Sequence, residues 1–235
     1  MIGELLITCG VLVFLFLGWQ LWLNDLILGS VDNNDAAKLS KTWDASNNFV
    51  NDGPVISNQE QDFGEPVVSK APAEGKTFAV MYVPRFGKDW VREIAEGTDL
   101  VNVLNTRRIG HYDNSQMPGE IGNFAVAAHR LTYGAPFKDI NLLRAGDKIY
   151  VKTEKGYYTY VVRNLEYVDR HGVGVLYRVP QVEGKDPTAR LMTIMSCNPV
   201  WSTAERLIAY AVFDSWQPVS AGPPAEISSL VNAHG

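Results

Sequence analysis

Two apolar patterns divide the chain. The first is an unbroken run from Leu5 to Leu23, in which only Thr8 and Gln20 are markedly polar. As a helix rising ~1.5 Å per residue it reaches about 28 Å, enough for a hydrocarbon core of about 30 Å. Trp19 and Trp22 fall near one end, where interfacial aromatics belong, and Asn24 and Asp25 stop the run. The pattern predicts an N-terminal membrane anchor over residues 1–24. A cleaved signal peptide fits less well, because its apolar region is about 7–15 residues long and ends at small side chains. This run ends in Trp, Leu and Asn. No Lys or Arg precedes it, so charge does not set the orientation.

The second pattern starts at Lys76 and consists of short apolar runs cut by turns. Residues 78–83 predict a strand ended by Pro84, and residues 123–128 a buried strand bounded by Gly122. Residues 148–153 and 157–168 predict a hairpin around Lys155-Gly156. Residues 190–197 and 206–214 predict the last two strands, whereas residues 89–96 read as a short helix stopped by Gly97. Many strands with few helices predict a mainly β barrel or sandwich over residues 76–214. Residues 25–75 are rich in Asn, Asp, Ser, Gly and Pro, with no sustained period. They predict a flexible or loosely docked stalk, of which Phe63, Val67 and Val68 could lie along the domain. Residues 215–235 read as a C-terminal tail.

Composition excludes wholesale disorder and disulfide-dense scaffolds, with 46% hydrophobic and 20% charged residues. The net charge of −5 is uneven: residues 25–75 hold nine acidic and three basic side chains. From Lys76 onward the charges nearly balance, so no basic stripe points to a nucleic-acid partner. The two cysteines, Cys9 in the apolar run and Cys197 far downstream, suit neither a disulfide nor a zinc site.

Cys197 closes a strand whose alternate face is Leu191, Thr193, Met195 and Cys197, and Asn198-Pro199 then break the ladder. It reads either as a structural cysteine or as a thiol nucleophile at a strand mouth. A nucleophile needs a base or cation beside it. Of the four histidines, His234 lies in the tail, His171 in an Arg-His-Gly turn and His111 in a Gly-His-Tyr segment. Only His129 repeats the placement of Cys197, a polar head at the end of an apolar strand. Arg206 opens the next strand, nine positions after Cys197. Antiparallel pairing around residues 198–205 would bring it to the same rim, where a guanidinium can stabilise an oxyanion or orient a substrate. The competing reading is a strand-edge Arg paired with Glu205 or solvent. No Asp or Glu is clearly placed as a third member.

These residues resemble the sortases, membrane-anchored cysteine transpeptidases of Gram-positive bacteria, and most of all class E of actinobacteria. The resemblance spans residues 76–214. It is carried by Gly119-Glu-Ile-Gly-Asn-Phe-Ala-Val-Ala-Ala-His129-Arg130, by Thr132-Tyr-Gly-Ala-Pro-Phe137, by Pro84-Arg-Phe-Gly87, and by Cys197-Asn-Pro199 with Ala204-Glu-Arg-Leu207. It implies an eight-stranded sortase β-barrel with short helices, held outside the cell by a single-pass anchor. Cys197 would be the nucleophile, His129 the general acid/base, and Arg206 the residue stabilising substrate and oxyanion. The family's Thr-Leu-x-Thr-Cys stretch here reads Thr193-Ile-Met-Ser-Cys197, so each replacement keeps its chemical type. Ser196 and Asn198, flanking the thiol, are substrate-binding candidates. Tyr112, with Tyr133 second, is the candidate for the class E tyrosine associated with Ala in place of Pro in the sorting signal.

The implied partners are secreted proteins bearing an LPxTG- or LAxTG-like C-terminal signal, the amine of a peptidoglycan precursor (lipid II), and the lipid bilayer through residues 5–23. The chemistry requires no metal or organic cofactor. Three rivals carry less of the pattern. A pilin-polymerising sortase needs a lid that Asp62-Phe63 matches only faintly, and an L,D-transpeptidase needs signatures that are missing. A non-enzymatic membrane-tethered binding barrel would leave Cys197 merely buried.

Overall fold

In the computed structural model, which describes residues 2–19, 24–46 and 62–233, eight strands close into a barrel. They are β1 (Thr77–Tyr82), β2 (Val91–Glu96), β3 (Ile109–His111), β4 (Gly122–Ala127), β5 (Lys148–Lys152), β6 (Gly156–Asp169), β7 (Arg190–Asn198) and β8 (Glu205–Pro218). Round the barrel the order is β1-β2-β3-β4-β7-β8-β6-β5. The pairs β2/β3 and β4/β7 are parallel and the others antiparallel. Closure leaves no sheet edge unpaired and meets the eight-stranded expectation.

Alternation along each strand decides what lies inside. Phe124 and Val126 of β4, Tyr160 and Val162 of β6, and Met192 and Ile194 of β7 fill the interior. The outer face of β4, β7 and β8 carries Ala127, Met195 and Ile208, packed with Val175 and Leu176. This outer face continues into the candidate site.

Two expectations fail inside the barrel. Residues 89–96 are not a helix: Val91–Glu96 is a strand between β1 and β3. Its Ile94 enters the barrel core while Val91 packs outward, so burial on both faces overrides the helix-forming Glu and Ala. The Gly-His-Tyr segment holds β3, and His111 is fully buried, its Nδ1 2.9 Å from Glu96 Oε2 and its ring against Phe124.

The flanking segments, expected as a flexible or loosely docked stalk and a tail, are more ordered than their composition suggests. Residues 24–46 form helix α2 (Asn24–Ser46) docked on β1 and β2, rather than a flexible stalk. The reason is a built contact face. Ala36 and Trp43 pack with Val80, Tyr82, Val91 and Tyr150, while Ser40 takes the Tyr82 hydroxyl proton at 2.8 Å. The second half of the expected stalk also follows the barrel: Trp216 Nε1 donates to the Gly64 carbonyl, Arg190 pairs with Glu65, and the Tyr158 hydroxyl donates to the Val67 carbonyl. Residues 47–61 lie outside the description. The expected tail contributes the end of β8 and helix α3 (Ala225–Ala233), whose Ile227, Leu230 and Val231 join the apolar cluster of α2.

At the other end, helix α1 (Ile2–Gly18) has 17 residues and buries none of them. The expected run extends to Leu23, and residues 20–23 lie outside the description. Among the described residues no helix is long and apolar enough to cross a membrane.

Candidate active site

Register brings the three expected catalytic residues to one rim. Cys197 of β7 lies directly opposite Arg206 of β8 in the antiparallel ladder. On the other side of β7, β4 runs parallel, with Ala127 level with Met195. The Ala128 N–H donates to the Met195 carbonyl and Ser196 Oγ donates to the Ala128 carbonyl, so the pairing continues past the strand. His129 and Cys197 each stand two positions beyond the Ala127/Met195 pair, on the same outer face. Cys197 and Arg206 thus face each other across β7 and β8, and His129 follows the end of the neighbouring β4 by two residues.

The His129 imidazole is held from two directions. Its Nε2 lies 2.9 Å from Asn105 Oδ1, on the short turn Leu104–Thr106, and its ring lies against Tyr133 with centroids 5.2 Å apart. An amide oxygen accepts only, so Nε2 carries the proton toward Asn105 and Nδ1 is left for proton exchange. Burial holds the imidazole below its ordinary pKa of 6.5, so the ring is mainly neutral at pH 7. Following the His129 resonances by NMR should therefore give a midpoint below 6.5. Tyr133→Ala, which opens one ring face to water, should move it upward; an unmoved midpoint would show that Tyr133 does not keep water out.

The loops around His129 are strained. Among the described residues four non-glycine residues have positive φ, and three of them flank His129: Arg107 (71°), Tyr133 (52°) and Ala135 (41°). Each such residue costs roughly 1–2 kcal/mol and persists only where its surroundings enforce it. One enforcing contact is the Phe137 N–H donating to the His129 carbonyl at 3.0 Å.

The expected substrate-binding residues separate into two groups. Tyr112 lines the outer face: its hydroxyl lies 3.5 Å from Met195 Sδ, and burial raises its pKa while Arg206 opposes that shift. Tyr133 is half exposed above the His129 ring. Ser196, by contrast, faces inward, is 2% exposed, and gives its hydroxyl proton to the Ala128 carbonyl. It fastens β7 to β4 and is removed from the substrate-binding set. The Asn198 amide is likewise engaged, accepting from Arg130 and donating to Glu205 Oε2 at 2.8 Å. Asn198 therefore braces the rim rather than presenting a free amide to substrate.

Two residues escaped the sequence reading. Asn105 sits alone in a turn, 24 positions before His129, and only the fold brings it near. Arg130 carries a visible signal, a cation directly after the candidate base. It is buried, and its Nη1 donates to the Cys197 carbonyl at 3.3 Å and its Nη2 to Asn141 Oδ1 at 3.1 Å. It bolts the end of β4 to the end of β7. Arg206 is braced through Nη1, which donates to the carbonyls of Thr203 and Glu205. Among the described residues no group of three His, Cys, Asp or Glu side chains is placed to hold a metal ion.

A barrel with a thiol, an imidazole and a guanidinium on adjacent strand ends can perform acyl transfer, and comparison with known proteins gives the arrangement a family. A model of the sortase domain matches residues 81–214. The chain belongs to the sortase family. Against sortase SrtE1 of Streptomyces coelicolor it is 32% identical over 97% of its own length and 60% of that relative's. Sortase E of Streptomyces avermitilis is 40% identical, with a TM-score of 0.58 over 66% of this chain and 98% of that one. Sortase E1 of Streptomyces coelicolor, solved with a tripeptide in its active site, is 33% identical, with a TM-score of 0.61 over 68% and 99%. These relatives place the sortase in class E.

Proposed function

We propose that this sortase cleaves a C-terminal LPxTG- or LAxTG-like sorting signal between Thr and Gly and joins the released acyl group to an amine of a peptidoglycan precursor. The observation that carries the reading is the cross-strand pair Cys197/Arg206, with His129 two residues past the end of the adjoining strand β4. The Cys197 thiol passes its proton to His129 Nδ1 as its sulfur adds to the Thr carbonyl carbon, giving a tetrahedral oxyanion that Arg206 stabilises through its remaining donors. His129 then gives its proton to the departing glycine amine, and a thioester remains. The incoming amine adds to the thioester carbonyl, His129 takes its proton, and the thiolate is expelled. One amide bond is exchanged for another and no water is consumed. Asn105 orients the imidazole throughout, as a third member that accepts rather than ionises.

The same reading makes the chain a single-pass membrane protein with its barrel outside the cell. Its support is the apolar run 5–23 together with α1, where Leu5, Leu12, Phe14 and Phe16 are all more than half exposed. Because a secreted substrate is held at the same membrane before transfer, anchoring would raise its effective concentration.

The test uses the full chain in detergent, with LPxTG and LAxTG peptides and a peptide-stem amine. A covalent acyl adduct on Cys197 and an amide-linked product are expected by mass spectrometry. Absence of adduct, cleavage and transfer with both peptides would overturn the reading.

A further inference from the structure

Helix α2 reaches the loops that hold His129. Asp32 Oδ1 accepts from Arg107 Nε at 2.7 Å, with the Asp32 side chain only 9% exposed. Arg107 stands two residues after Asn105, the partner of His129, and holds a left-handed φ of 71°. The other carboxylate oxygen, Oδ2, points at the second loop: a Cβ built on Gly134 would lie 2.8 Å from it. Gly134 adjoins Tyr133, which lies against the His129 ring, and has a φ of 72°. One carboxylate therefore holds the first segment by an ion pair and, through the buried Oδ2, which makes no hydrogen bond, lies against the second. The helix is seated for this contact by the next residue, because Asn33 Oδ1 accepts from the Val91 N–H at 3.1 Å and from Arg92.

We infer that α2 is part of the active-site scaffold, with Asp32 a positioning residue that clamps the Asn105–Arg107 turn by its ion pair and backs the Tyr133–Gly134 loop by close approach, both beside His129. The inference rests on His129 being the general acid/base of the proposed transfer. The clamp explains how strained residues persist at Arg107 and Tyr133, since positive φ at such positions requires enforcement from outside the loop. It also explains why residues 24–46 dock rather than trail. Loss of the clamp lets the turn and the loop move apart, so that the imidazole loses its amide partner and gains water. A displacement of about 1 Å at a catalytic group can lower rate about a hundredfold.

The test is made on the full chain, with rate and His129 titration read together. Asp32→Ala should lower kcat for peptide transfer about tenfold or more with KM little changed, and should move the His129 midpoint upward. Asp32→Asn, which retains an oxygen for Arg107, should recover most of the rate. Ser40→Ala, which loosens α2 about two helical turns away, should lower the melting temperature while leaving rate and His129 midpoint unchanged. The inference fails if Asp32→Ala leaves both readouts at their wild-type values. It also fails if Ser40→Ala reproduces the same losses, since α2 would then act only through overall stability. A wild-type chain inactive on both peptides would sink the proposed function, yet the His129 titration would still decide the clamp.

Discussion

Cys197→Ala is expected to abolish thioester formation and to lower kcat/KM for transfer by at least about 10⁴-fold, with little loss of stability. The two halves of this expectation come from different features of the site. Cys197 is partly exposed on the outer face, so removing its sulfur opens no enclosed cavity, and thermal melting should stay within a few degrees of wild type. The chemistry has no substitute nucleophile. Ser196 is the adjacent hydroxyl, but it faces inward and is committed to the Ala128 carbonyl. His129→Ala should lower transfer about 10²- to 10⁴-fold, the span of a general acid/base contribution. In the proposed transfer thiol and imidazole act as one unit, so the double variant should be no slower than Cys197→Ala alone. A Cys197→Ala chain retaining a hundredth of wild-type turnover would exclude the thioester route.

The site was legible in the chain to the extent that it sits on strand ends. The face Thr193, Met195, Cys197 follows from a period of two, and the outer position of that face is what the fold shows. Asn105 was not legible, because a lone Asn in a turn acquires meaning only when the turn is folded across the end of β4. Six strands could be read from their apolar runs. β3 has three residues, too few to show a period, and β2 is buried on both faces, which erases the alternation that marks a half-buried strand. Helix α3 left a readable trace in Ile227, Leu230 and Val231, spaced three and four apart. Helix α2 left little, because half of its docking face is polar: Asn33, Ser40 and Asp44 alternate with Ala36, Ala37 and Trp43. Such a face resembles a solvated one until its partners are known.

Those partners set the largest stability effect expected in the molecule. Lys152→Met is expected to destabilise the chain by about 3–5 kcal/mol, measured by urea denaturation of the full chain. Lys152 lies on β5 with its side chain fully buried. Its ammonium donates to the Ser40 carbonyl at 2.8 Å, to Ser40 Oγ at 2.7 Å and to Asp44 Oδ1 at 2.7 Å, and sits 5.1 Å from the Tyr157 ring centre. A thioether of similar length fills the space but leaves the Asp44 carboxylate beside Tyr82 and Tyr157 without its counter-charge. Lys152→Met/Asp44→Leu, which removes both charges, should regain much of the loss, because an isolated buried charge costs more than the pair contributes. The pH dependence separates this account from a packing defect. Burial outweighs Asp44 and holds the Lys152 pKa below the 10.5 of a free lysine. Between the folded value and 10.5 the unfolded chain binds the extra proton, so the lysine's share of stability rises with pH across that window. Lys152→Met should abolish this share of the slope below pH 10, before unfolded-state tyrosines ionise. A variant within about 1 kcal/mol of wild type would mean that α2 is held by Ala36 and Trp43 without the buried ion pair.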